Sequence, residues 1–301
     1  MFDRYITAGR SQGWSDATAR QYLWHLERWH TFQGDAVPTA DSLRNWVVYI
    51  RGKWQPATVR AAIIAVRGWL RFIGYDDLAA ILRPPTPPAR VHRTVTAGEV
   101  ARLLDAASVP AARGVNRQHA QAVAIRNTAI IAMLFDAWLR AAELCGLTVE
   151  AVSVEARRCI VRGKGDREEI VAFSLATAAH LRAWLDVRQS DTRALFVSVG
   201  GNTPGEPLTT NGLRVILRNV SERAGVPQVS PHAFRRGGAT VAIRAGAPTR
   251  WVQAHGRWAR LEMVELYTRA LDPGEMLDTY SSMNAVEKQR PITVQPEPAE
   301  T

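Results

Sequence analysis

Two cysteines, Cys145 and Cys159, are all the thiols in 301 residues, too few for a disulfide framework or a four-thiolate zinc site. They fit buried thiols in a reducing cytosol, and a cytoplasmic location is the expectation. No apolar run approaches the roughly 18 residues that a membrane-spanning helix needs. The opening Met1-Phe2-Asp3-Arg4-Tyr5 lacks a basic segment followed by an apolar core and a small-residue cleavage site, which argues against secretion. Acidic residues are short as well: 28 Asp and Glu face 38 Lys and Arg, a formal charge of +10. Several chemical signatures are missing. Gly163-Lys164 has Arg158 where a nucleotide-binding P-loop needs glycine, and Gly165 where it needs Ser or Thr. Neither His-Glu-x-x-His nor Gly-x-Ser-x-Gly occurs, and His25, His30, His92, His119 and His180 lack ligand spacing with carboxylates or thiols. Nucleotide-driven, metal-dependent and serine-hydrolase classes therefore lose ground, and no cofactor is expected.

What is present is an ordinary globular composition, 47% hydrophobic and 22% charged, in a length that suits two domains. The excess charge is mostly arginine, whose planar fork matches phosphate oxygens. Neutralising phosphates releases counterions and favours a polyanionic partner; a codon bias towards Arg and Ala gives the same composition. Helical periodicity marks 15–33, with Ser15 as cap, then 40–51, 57–73 and a short helix near 76–82. No helix is expected before Ser15, a stretch of about fourteen residues that leaves no room for a further DNA-reading domain. The 57–73 helix buries Val59, Ile63, Val66 and Leu70 on one face and carries Arg60, Arg67 and Arg71 on the other. Four prolines between Pro84 and Pro88 forbid helix and mark a connector over 84–91. Beyond it, Thr96 and Glu99 have capping-box spacing, and helices are expected at 117–136, 140–145, 175–188, 209–224, 231–245, 248–256, 261–270 and 273–285. Two β-rich runs, 159–162 and 169–173, flank a turn carrying Lys164. The proline-bearing end, 287–301, reads as a disordered tail.

Two fragments carry chemistry. Pro231-His232-Ala233-Phe234-Arg235-Arg236 opens a helix, and a helix start beside an arginine fork makes a phosphate site. In Leu139-Arg140-Ala141-Ala142-Glu143-Leu144, Arg140 and Glu143 stand one turn apart and on their own form an ordinary helical ion pair. Together with Lys164 and the stretch from Trp258 to Tyr267, these fragments resemble the tyrosine recombinase, or phage integrase, family. The first arginine motif is similar to Leu139 to Leu147, the hairpin lysine to Lys164, the His-x-x-Arg box to His232–Arg235, and the nucleophile segment to Val264-Glu265-Leu266-Tyr267. The elements come in the family's order over about 92–285. Two departures stand out: Ala137-Trp138 replaces the usual Thr-Gly, and His255-Gly256-Arg257-Trp258 replaces the usual Leu-Gly-His. Trp258 lies nine residues before Tyr267 and takes the family's His/Trp position, which leaves His255 one turn too early for a direct part.

The resemblance implies a fold that is mainly α with a small β-sheet. A helical core-binding bundle would span 1–83 and an α+β catalytic domain 92–286. It implies Tyr267 as nucleophile, Arg140 and Arg235 as a phosphate clamp, His232 as a group that bonds a phosphate oxygen or assists the tyrosine proton, Trp258 as a positioning group, Lys164 as general acid and Glu143 in support. Arg60, Arg67, Arg71 and Arg236 are DNA-contact candidates. The implied partner is double-stranded DNA with short inverted-repeat core sites, bound by a protein monomeric in solution and tetrameric on paired sites. A phage or mobile-element integrase is the first reading and a Xer-type dimer resolvase the second. A non-catalytic DNA-binding protein and a type IB topoisomerase are further rivals.

Overall fold

The computed structural model describes residues 1–86, 93–110, 116–163, 168–200 and 203–268, with the backbone alone for 266–268. The chain divides into two compact units, Met1–Arg90 and Val91–Thr301.

The first unit is all helical: α1 (Asp3–Ser11), α2 (Asp16–Gln33), α3 (Ala40–Lys53), α4 (Pro56–Phe72) and α5 (Asp76–Ile81). Ser15 accepts the Thr18 N–H and starts α2, while Thr39 and Ser42 close a capping box on α3. Helix α4 begins on Pro56, whose fixed φ suits the first turn. Its apolar face, Val59, Ala62, Ile63, Val66 and Leu70, is buried against Leu26, Trp29, Leu43, Trp46 and Ile50. Helix α1 is a correction to the sequence reading, which placed no element before Ser15. It buries Tyr5, Ile6 and Gly9, and the Phe2 ring meets Trp69 edge-on at 5.3 Å.

The second unit holds α6 (Ala97–Ser108), α7 (Arg117–Asp136), α8 (Ala141–Gly146), α9 (Leu175–Val187), α10 (Thr210–Arg223), α11 (Pro231–Arg244), α12 (Thr249–Gly256) and α13 (Glu262–Thr268). The Thr96–Glu99 capping box forms as the spacing predicts. Helix α7 runs through the centre, buried at Ala129, Ile130, Ile131, Met133 and Leu134, with α6, α9 and α11 packed around it. The sheet has three antiparallel strands in the order β1 (Val152–Ser153), β2 (Arg158–Arg162), β3 (Glu168–Ala172). Cys159 pairs with Val171 and Val161 with Glu169, so these four share the core-facing side, while Ile160 and Ile170 face outwards. The two-residue β1 escaped the sequence reading. A second, small cluster of Trp138, Ala239, Val252, Trp258 and Val264 lies under α11, α12 and α13. Of the expected buried thiols, Cys159 is buried and Cys145 only half so; burial pushes both up to about 11. The helix expected at 273–285 and the tail at 287–301 lie outside the described residues.

Candidate active site

Ser230 accepts the Ala233 N–H and fixes the first turn of α11, with Pro231 at its start. That turn leaves His232 exposed and turns Arg235 inward, 3% exposed. Arg235 Nη1 donates to the Trp138 carbonyl at 2.7 Å, and Nη2 donates to the Gly256 carbonyl. Its guanidinium lies 4.8 Å from the centroid of the Trp258 ring, a cation–π distance. Gly237 and Gly238 permit this packing: a Cβ on the first would collide with the Val95 carbonyl, and on the second with the Trp138 indole.

Trp138 and Arg257 both sit in left-handed backbone, φ 48° and 52°, a region that bulky residues rarely occupy. Each is held there by its side chain. The Trp138 ring is buried, 4.4 Å from His255 and 5.9 Å from Trp258. The Arg257 side chain is 4% exposed and donates from Nη2 to Glu143 Oε2 at 2.7 Å. It also reaches the carbonyls of His255 at 3.1 Å and Trp138 at 3.3 Å, and its Nε lies 3.5 Å from Glu169 on β3.

Arg140 and Glu143 do not form a pair within a helix. Arg140 precedes the first turn of α8, and Glu143 reaches back to accept the Arg140 N–H at 2.9 Å. The Arg140 guanidinium pairs with the other oxygen of Glu143 and is itself 42% exposed. Burial alone would raise the Glu143 carboxyl, but the Arg140 N–H, Arg257 and the Arg140 guanidinium outweigh it and hold the group below its ordinary value. His232, though exposed at its rim, is lowered first by partial desolvation and then by Arg236, Arg235 and Arg140, against which Glu143 counts for less. The charges acting on His232 thus come from both sequence motifs, nearly a hundred residues apart. The shift disfavours the charged form, so the imidazole is poised to accept a proton.

The remaining expected groups are placed unevenly. Tyr267 lies on α13, one turn after Val264, which is fully buried in the cluster with Trp138 and Trp258; its side chain is outside the described residues. Lys164 falls among 164–167, outside them too, between the ends of β2 and β3. Trp258 is 9% exposed. His255 is tied up in packing, its Nε2 within 2.9 Å of the Asp136 carbonyl. Arg236 donates to the Arg93 carbonyl at 3.2 Å. In the first unit, Arg60 donates to the Pro85 carbonyl at 2.9 Å, Arg67 is half-buried and Arg71 is exposed. Arg257 was not among the expected site residues, since a lone arginine beside Trp258 carries no periodic or spacing signal.

The family profile described as "Phage integrase family" matches residues 93–273. The chain belongs to that family. Tyrosine recombinase XerC of Mycobacterium sp. (strain KMS) is 30% identical over 288 residues, covering 89% of this chain and 92% of its own. Tyrosine recombinase XerA of Thermococcus kodakarensis is 28% identical over 270 residues, 89% of each chain. Among solved structures, the XerH site-specific recombinase bound to palindromic difH substrate in a post-cleavage complex superposes with a TM-score of 0.67 at 17% identity. That likeness covers 87% of this chain and 79% of the other, and bears on the fold alone.

Proposed function

We propose that this recombinase cuts and rejoins duplex DNA at specific sites through a covalent link to Tyr267. The observation that carries the reading is that Arg140, His232, Arg235 and Trp258 lie close to one another beside the helix that bears Tyr267. The Tyr267 hydroxyl attacks a phosphorus atom, the bond to the 5′-oxygen breaks, and a 3′-phosphotyrosyl ester and a free 5′-hydroxyl result. Charge growing on the non-bridging oxygens meets Arg140, which opens to solvent, and Arg235, fixed by the carbonyls of Trp138 and Gly256. Neutral His232 takes the tyrosine proton. The Trp258 indole N–H steadies the phosphate, and Lys164 gives a proton to the departing oxygen. A 5′-hydroxyl from another strand attacks the phosphotyrosyl ester and releases the Tyr267 hydroxyl, and because the ester conserves the phosphodiester energy, rejoining needs no nucleotide.

In this reading residues 1–83 and 92–286 act as two DNA-binding domains joined by the proline-rich connector, with Arg67 and Arg71 of α4 and Arg236 of α11 on the backbone. Four copies assemble on two paired sites, through the segment after Tyr267, in the cytoplasm. The relatives' names favour carrying the dimer-resolvase reading beside that of an integrase. The two differ in outcome: a resolvase exchanges two copies of one site, an integrase joins two unlike sites.

The test is to select bound fragments from genomic DNA, place a nick beside the cleavage position and incubate with protein in EDTA without ATP. A covalent protein–DNA band supports the reading. Site-specific binding with no band, on any nick position across the site, leaves a DNA-binding protein without strand-cutting activity.

A further inference from the structure

Glu143 is one carboxylate between two guanidiniums. Arg140 takes one oxygen and is 42% exposed; Arg257 takes the other and is 4% exposed. A carboxylate paired with Arg140 alone would cancel most of the charge that an incoming phosphate is meant to meet. Arg257 changes that balance, because it neutralises Glu143 from the buried side. Its Nη donors are directed at Glu143 and at the carbonyls of Trp138 and His255, so its charge is paired with the carboxylate. The backbone supports the same view. A glycine would occupy φ 52° without strain, so the guanidinium is what position 257 contributes in return for that strain. Glu169, near the start of β3, lies 3.5 Å from Nε and seats the side chain from a second direction.

We propose that Arg257 is a positioning residue whose guanidinium, buried against Glu143, serves as the counter-ion that leaves the charge of Arg140 to the scissile phosphate. The proposal rests on the recombinase reading above. Its site combines four groups from three separate segments: Arg140 and Glu143 at the start of α8, Glu169 on β3, and Arg257 after α12. Arg140 is then held in place by a carboxylate whose negative charge is offset by a second, buried cation.

The test is a double-mutant cycle on covalent-complex formation with a nicked site. The wild-type protein is the control: no adduct there refutes the recombinase reading before Arg257 is at issue. Arg257→Met should slow adduct formation at least about tenfold, the order expected for weakening one preorganised charge. In the Glu143→Gln background the same change should cost less than about threefold, because nothing is left for the counter-ion to cancel. A site whose scissile phosphate carries a methyl in place of one non-bridging oxygen has one negative charge less to neutralise, so the Arg257→Met deficit should shrink on it. An equal deficit in both backgrounds and on both substrates would overturn the proposal in favour of a purely structural arginine, as would full activity of Arg257→Met. Should Arg257→Met fail to fold by circular dichroism, Arg257→Met/Glu143→Gln is compared with Glu143→Gln alone. Activity within about threefold then supports the proposal, and a tenfold loss overturns it.

Discussion

Arg140 and Arg235 are chemically alike and proposed for one task, yet the structure sets very different stability costs on removing them. Arg235→Ala takes away a guanidinium 3% exposed. The Trp138 carbonyl keeps a donor in Arg257 at 3.3 Å, so the Gly256 carbonyl is the acceptor that loses its guanidinium partner. A buried acceptor left unmet costs about 1–3 kcal/mol, and the stacking on Trp258 adds about 1–2 kcal/mol. The sum is about 3 kcal/mol, which in a unit of this size lowers the melting temperature by about 6–12 °C. Arg140→Ala removes a half-exposed side chain, and Glu143 retains Arg257 and the Arg140 N–H. Its cost is at most about 1 kcal/mol. Both variants should lose cleavage by about 100-fold or more. Thermal unfolding alongside adduct formation on a nicked site separates the two effects. An Arg235→Ala protein as stable as Arg140→Ala would refute the claim that Arg235 is held by its two carbonyls and the Trp258 ring.

Imidazole titration by NMR should place His232 below 6.5 in the free protein, because burial and three arginines disfavour its charged form; binding site DNA, which brings a phosphate charge, should move it upward. Trp258→His should retain part of the cleavage rate, since imidazole also offers an N–H, whereas Trp258→Ala loses that donor and the ring over Arg235 together. In the first unit, burial and Arg28 push His25 down to about 4 from 6.5. The unfolded chain then binds more protons than the folded one between these values, so stability is full above pH 6.5 and falls as pH drops towards 4. Hydrogen exchange of α2 amides, corrected for intrinsic rates, should show protection lost at pH 5 relative to pH 7, and a His25→Leu variant should lose that dependence.

Much of the helical frame was legible because its signals are local. Ser15, the Thr96–Glu99 box and Pro231 each announce a helix start, and the structure uses all three. Helix α1 gave no such signal: its N-cap is Phe2, with no side-chain cap. Strand β1 is two residues long, below any periodicity. In the site, Arg140 and Glu143 could be read as partners because they are neighbours in sequence. The Arg257–Glu143 contact spans 114 residues and the Arg257–Trp138 contact 119, and neither position has a residue type that suggests left-handed backbone. Long-range ion pairs and positive φ at Trp and Arg are set by packing, which a single sequence does not display.

The central claim is that Tyr267, and no other group, carries the covalent link to DNA. Adduct formed on nicked site DNA in EDTA is digested with protease and nuclease, and the residue that retains a nucleotide is located by mass spectrometry. The account predicts the nucleotide on Tyr267, and predicts that Tyr267→Phe binds the site with near-normal affinity while forming no adduct. A nucleotide on Tyr280 or any other residue, or an adduct from Tyr267→Phe, would contradict it.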